Sequence, residues 1–326
     1  MSVTRRTVSL ALASTALGLR ATGASAIELN VTQFGVGVHG LPYAVAKEKG
    51  YYKDVGIDVT GFLSSAGGGT TVRNLLASDL PYGEVALTAA IAAVDQGFEL
   101  SIVHGGVKTA DQLWVTRKDD ESIKTLDDLK GKTIGYSGPN GVADILSLMM
   151  IERAGLKGQV NRKTVGPVGA GLTALREKAV DVSYTFEPAW SRDKDKYRLF
   201  FDSAKMAPRF AQTVAVARGE FARKNPDMIK GLIAARRRAV QFIVGNRDET
   251  AAIFARYYKI SPEVARSALE HTLSLGEYWS QGEIDYEGMN NVHAGLRMTG
   301  SIKSTEIDWS KTVDETFLPD DLKTRR

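Results

Sequence analysis

FLSSAGGGTTVRNLLASD, residues 62–79, sets three consecutive glycines directly ahead of a helical pattern. Glycine loses more backbone entropy on folding than any other residue. A run of three therefore marks a backbone that turns sharply, or one that something approaches closely. Thr70 and Thr71 follow, then Val72, Leu75 and Leu76 at helical spacing. The stretch reads as strand, loop, cap and amphipathic helix. A helix start carries unpaired N–H groups and partial positive charge, which suits an anion. A plain strand-to-helix turn is the alternative, and one Gly-rich loop alone does not decide between them.

The same unit recurs along the chain. LNVTQFG (29–35), IDVTGFL (57–63), GEVALT (83–88) and LSIVHGG (100–106) read as strands, each followed by a loop or a helix. A second α/β unit begins near Gln112 with LWVTR (113–117), then a strand over 132–136 and a strongly amphipathic helix after GPNG. VNRKT, SYTF and the edge candidate YRLFFD continue it. A strand over 213–217 returns to the first unit, and the chain beyond Asn225 is mostly helical, with Pro226 at a first helical position. This alternation predicts α/β layers around mainly parallel sheets. Two such domains are expected: 27–110 with 212–326, and 111–211. Two crossing strands would join them and leave a cleft between. Ligands of open α/β sheets bind beyond the carboxyl ends of the strands, so loops 35–40, 64–71, 88–90, 137–142 and 185–190 are expected to face that cleft. Coincidence explains one Gly-rich loop well and several poorly.

MSVTRR is a basic start, TVSLALASTALGL (7–19) is uncharged and largely apolar, and Ala24-Ser25-Ala26 is a small-x-small site. That is the three-part pattern of a secretory signal peptide, cleaved after Ala26. Arg5-Arg6 stand where twin-arginine signals place their pair, although ordinary export leaders carry paired arginines too. The whole chain has 42 Lys+Arg and 38 Asp+Glu; without residues 1–26, which hold three arginines and no acid, 39 face 38. Such near neutrality gives no reason to expect a nucleic-acid or membrane-surface partner. Arg236-Arg237-Arg238 reads as the solvated face of a helix. There is no cysteine, so an exported fold would stand without disulfides, and a lipid anchor at the cleavage site is not expected. A soluble periplasmic monomer is the expectation.

HGLPYAVAKEKGYYKDVGIDV, SSAGGGTTVRNLLASD, TLDDLKGKTIGYSGPNG and KNPDMIKGLIAARRRAVQFIVGNRDETAAIFA resemble, in order, signatures of the solute-binding proteins of ABC importers in the nitrate/sulfonate/taurine group. That group also includes binders of thiamine pyrimidine precursors. The likeness spans nearly the whole chain after residue 26. It implies a two-lobed, type II periplasmic binding fold that closes on a small-molecule ligand, with a membrane permease and an ATPase as partners.

Candidate binding residues follow from the loops. Phe34, His39 and Gly40 belong to the first, and His39 can donate to an anionic oxygen. Ala66, Gly67, Gly68, Thr70 and Thr71 form the second, with Arg73 behind them, and Thr88 stands in the third. Ser137, Asn140 and Gly141 make the matching helix start of the second lobe. FEPAW (186–190) follows a strand; Glu187 can accept from an amine or ring N–H, and Trp190 can stack on a ligand. A cleft carboxylate would repel a simple anion such as nitrate, which favours a ligand with a positive or hydrogen-donating part: an amino-sulfonate, an aminopyrimidine, or an aromatic carboxylate on Trp190. Two other classes share the fold: a periplasmic sensor, and a pyrimidine synthase that uses a His and a Cys-rich motif. The chain has no Cys, its four His (39, 104, 271, 293) are scattered, and it shows no P-loop or metal-spaced pair. No catalytic residue, cofactor or metal is expected.

Overall fold

A computed structural model describes residues 26–65, 67–78, 80–207, 209–302 and 304–324. The expected leader, apart from Ala26, lies outside these residues, and so does Ala66. The strands are β1 (Ala26–Thr32), β2 (Asp58–Ser65), β3 (Tyr82–Ala86), β4 (Leu100–Gly105), β5 (Leu113–Arg117), β6 (Thr133–Tyr136), β7 (Asn161–Thr164), β8 (Ser183–Thr185), β9 (Tyr197–Asp202) and β10 (Thr213–Arg218). The helices are α1 (Leu41–Glu48), α2 (Tyr51–Asp54), α3 (Gly68–Ala77), α4 (Leu87–Asp95), α5 (Val142–Arg153), α6 (Val168–Arg176), α7 (Ala189–Asp193), α8 (Gly219–Lys224), α9 (Pro226–Gly245), α10 (Arg247–Tyr258), α11 (Pro262–Ser274) and α12 (Tyr286–Met298).

One sheet runs β2-β1-β3-β10-β4. The other strands form β8-β5-β9 and β6-β7, bridged where Ile134 meets Val182 just ahead of β8. The second lobe thus repeats the order of the first. In each, parallel pairs occupy one side, and one strand that arrives from the other lobe runs antiparallel to both its neighbours: β10 against β3 and β4, β5 against β8 and β9. The expected mainly parallel sheets are therefore mixed. A strand entering from the crossing must run opposite to strands that end there.

The two crossing segments lie side by side. The Gln212 N–H donates to Val107 O at 2.9 Å, Phe210 N–H to Lys108 O at 3.1 Å, and Ser203 N–H to Gln112 O at 3.0 Å. On either side the lobes also touch directly. α12 packs on α5, so tightly that a Cβ on Gly295 would lie 2.0 Å from Ile145 Cγ2. α11 packs on α7, and the Val38 N–H donates to Glu187 O at 3.1 Å. This double cover changes the reading of α5. It is not strongly amphipathic: Ala143, Ile145, Leu146, Met150 and Ile151 are all buried, because its own lobe and α12 cover different faces.

The arginine run on α9 also departs from expectation. Successive helical residues turn by about 100°, so three in a row cannot share one face. Arg237 and Arg238 reach Asp321 and Asp54 at the surface. Arg236 is 1% exposed, and its guanidinium lies 3.3 Å from the fully buried Glu84 of β3. It donates to Ser280 O at 2.7 Å and Gly106 O at 3.2 Å. Tyr43, Tyr52 and Tyr82 surround the pair, and desolvation pushes all three phenols up. His104, also buried here, is pushed down to about 3, first by desolvation and then by Arg236. It stays neutral, bonded to Tyr82 Oη and Gly105 O, each at 2.8 Å.

Candidate functional site

Between the lobes lies a cavity of about 520 Å³. Four helices begin on its wall. The residues preceding α3, α4, α5 and α6 are Gly67, Ala86, Gly141 and Pro167, and none supplies a side-chain cap. Helices favour Ser, Thr, Asp or Asn at that position, because an oxygen there meets the leading N–H groups. Four starts without one leave amide dipoles facing a shared space. Leu87 N–H of α4 is taken by Gln212 O at 3.0 Å. The Asp144 carboxylate at α5 accepts the Asn140 N–H at 2.7 Å and pairs with Arg162. Among the described residues no Asp or Glu lines the cavity, while Arg73 does. Ala86, Ala89, Ala92, Val142, Ala143 and Phe186 supply apolar wall.

The glycine triplet resolves residue by residue. Gly67 is extended, with nothing within 4 Å of an added Cβ. A Cβ on Gly68 would lie 2.7 Å from Ala89 Cβ and 3.0 Å from Ala86 Cβ. Gly69 is open, with only Arg73 Nη1 at 3.8 Å. So Gly68 lets α3 approach α4, and its neighbours keep the mouth of the helix clear.

Of the residues singled out in the sequence, His39, Gly67, Gly68, Thr70, Thr88, Ser137, Asn140 and Gly141 line the cavity. His39 Nε2 meets Thr32 O at 2.7 Å, so that nitrogen is spent as a donor. Thr70 Oγ1 accepts from Arg73 at 3.0 Å. Asn140, with φ at +61°, accepts from Thr299 of the other lobe at 3.0 Å.

Other expected residues are turned elsewhere. Phe34 packs on Phe62 at 4.3 Å, and Gly40 lies under Phe34 and Tyr258. Thr71 is buried, its hydroxyl bonded to Ser65 Oγ and Gly67 O. Trp190 packs against the core. Glu187 does not face the cavity. Its carboxylate accepts from Ser191 N–H at 3.1 Å and Ser191 Oγ at 3.0 Å, and lies 2.9 Å from His271 Nδ1 of α11. The inference that a cleft carboxylate repels simple anions therefore loses its basis. From FEPAW it is Phe186 that reaches the wall.

Residues of the crossings went unmarked in the sequence: Gln112, Gln212 and Thr213 all line the cavity. So do Gly166 and Pro167 ahead of α6. A signal for both was present. GPVGAG (166–171) is another Gly-rich loop before a helix, and polar side chains at the expected lobe borders must adjoin the cleft. Among the described residues, no group of three His, Cys, Asp or Glu could hold a metal ion.

Two α/β lobes of matching topology, joined by paired crossings around one cavity, define a periplasmic binding protein fold. The NMT1/THI5-like family model matches residues 39–250, and the chain belongs to that family. It is 23% identical, over 92% of its length and 91% of the relative's, to a Bacillus subtilis protein provisionally named for binding aliphatic sulfonates. The periplasmic aliphatic sulphonate binding protein SsuA of Escherichia coli superposes with a TM-score of 0.70 at 18% identity, covering 83% of this chain and 85% of that one. The periplasmic nitrate-binding protein NrtA of Synechocystis gives 0.70 at 15% identity, covering 90% and 87%.

Proposed function

We propose that this protein is an extracytoplasmic solute-binding protein of an ABC importer that captures a small organic anion between its lobes and presents it to a membrane permease. The observation that carries the reading is the character of the cavity wall: among the described residues it has four helix starts without side-chain caps, one arginine and no carboxylate. Such a wall offers positive potential without a fixed counter-charge. Size and apolarity then narrow the ligand. About 520 Å³ falls in the range of sites for small organic molecules. Water occupies roughly 30 Å³ in the liquid, so an anion of a few atoms would leave the alanine-lined part of the wall without contact. A sulfonate or carboxylate with a carbon skeleton fits both parts. Gly67, Gly68, Thr70, Arg73, Ser137 and Asn140 are assigned to the acidic group. The names of the sulfonate-binding relatives agree with this choice. Residues 27–110 with 212–326 are taken as one lobe, and 111–211 as the other. No described helix is long and apolar enough to cross a membrane.

Calorimetric titration of the purified protein with alkyl sulfonates, benzoates, nitrate, neutral sugars and amines tests the reading. Organic acids are expected to bind, and Arg73→Gln to weaken them about tenfold, the effect of one lost charge-assisted hydrogen bond. Binding of only sugars or amines, or of nitrate in preference to every organic acid, would overturn it.

A further inference from the structure

Asn140-Gly141 stands at the start of α5, on the cavity wall, and is the one Asn-Gly pair in the sequence. The local geometry calls for both residues. At φ +61° position 140 is left-handed, a region that admits asparagine, aspartate and glycine far more readily than other residues. At position 141 a Cβ would lie 2.8 Å from Ser137 Oγ and 3.2 Å from Gly138 O, so a glycine lets the turn close beneath the helix. Together they make a chemically labile pair. A glycine after an asparagine carries no side chain to keep its backbone nitrogen from reaching the asparagine side chain. Asn140 is exposed, in a loop whose Gly138 has nothing within 4 Å of an added Cβ.

Two hydrogen bonds restrain the pair. Gly141 N–H donates to Gly138 O at 3.2 Å, and Asn140 Oδ1 accepts from Thr299 Oγ1 of the other lobe at 3.0 Å. The second exists only while the lobes are together. We infer that Asn140 is a modification site, deamidated spontaneously when the lobes part and protected when they close. The Gly141 nitrogen attacks Asn140 Cγ. The N–Cγ bond forms, the Cγ–Nδ2 bond breaks, and the displaced nitrogen leaves as ammonia with the proton from Gly141. Water then opens the succinimide at either carbonyl, which yields aspartate or isoaspartate. Water is the only reactant consumed. Aspartate tolerates the left-handed φ and can still accept from Thr299, so the fold persists. The wall changes in character. Among the described residues it holds no Asp or Glu, and the new carboxylate repels a bound anion at close range. The reaction itself is independent of the proposed function; its effect on binding rests on that reading.

Ageing the purified protein at mildly alkaline pH, followed by peptide mapping in a mass spectrometer, tests this. Asn74 and Asn161 are exposed and precede Leu75 and Arg162, so they are controls within the same chain. Asn140 is expected to convert at least about tenfold faster than either. Thr299→Val, which removes the tether, should raise the Asn140 rate severalfold and leave the rates at Asn74 and Asn161 unchanged. Asn140→Asp should bind alkyl sulfonates and benzoates at least about tenfold more weakly than the wild type. Aged wild type should lose binding in step with conversion at position 140. Aged Asn140→Gly, which suits the left-handed φ and has no amide to lose, should keep the affinity it began with. Conversion at Asn140 no faster than at the controls, or a rate unmoved by Thr299→Val, would overturn the inference. Undiminished affinity in Asn140→Asp, or an equal loss in aged Asn140→Gly, would overturn its effect on binding. If no organic acid binds the wild type, the proposed function fails, and the mass spectra still decide whether Asn140 is modified.

Discussion

At Gly68 a single hydrogen decides how closely two helices meet. An added Cβ there would lie 2.7 Å from Ala89, on a helix that cannot retreat from β3 without disturbing the buried Val85 and Leu87. Gly68→Ala is therefore expected to cost about 1–3 kcal/mol, the usual range for forcing a methyl group into a packed site. Gly69→Ala meets open space and should be neutral or stabilise by a few tenths of a kcal/mol, since it stiffens the unfolded chain. Urea unfolding of both variants measures the contrast; equal losses would show that the triplet serves backbone conformation rather than close approach. The same scale shows why the site was only partly legible in the sequence. Thr70, Ser137 and Gly141 were readable because local pattern alone puts them at helix starts. Glu187 was misread because its rotamer is chosen by His271, 84 residues further along the chain. Gln112 carried no local pattern at all; only the pairing of the two crossing segments places it beside the cavity.

Elements follow the sequence more closely, and their failures have one physical source. LWVTR forms β5 over the same five residues expected, and the return strand and the Pro226 helix start also match. These depend on local periodicity and turn residues. The burial of Arg236 does not: it follows from Glu84 on a strand some 150 residues earlier. Surface arginines on α9 provide the control. Arg236→Met leaves Glu84 buried with its countercharge gone, and should cost about 3–5 kcal/mol. Arg238→Met removes a half-exposed pair with Asp54, and should change stability by no more than about 1 kcal/mol. Comparable losses from the two substitutions, read from chemical denaturation, would mean that the buried pair adds nothing to the holding of α9.

For the whole molecule, the question is what holds the lobes together when the cavity is empty. The Glu187–His271 pair joins them opposite the α5–α12 contact, and Ser191 adds a bond to Ser267 at 3.1 Å across the same seam. The Glu187 carboxylate beside it raises the His271 pKa above its usual value, opposed by desolvation and supported by Asp202 and Asp111, while Lys194 also reaches Ser267 on this helix. A histidine whose folded pKa is raised contributes stability that is complete below about pH 6.5 and disappears as pH rises through the folded value. His104 works in the other window. Its pKa of about 3 costs stability only as pH falls below about 6.5, by at most roughly 1.4 kcal/mol per unit. The two effects are therefore separable above pH 6.5. Because His271 spans the lobes, its loss of charge weakens the closed arrangement selectively, and a smaller closed fraction lowers apparent ligand affinity in proportion. Raising the pH from 6 to 9 is expected to increase the radius of gyration of the unliganded protein in small-angle scattering and to weaken ligand binding. His271→Gln, which cannot be charged, should show neither trend and should resemble the wild type at pH 9. A radius independent of pH in the wild type, or one that rises equally in His271→Gln, would place the control of closure in the crossings and the α5–α12 seam instead.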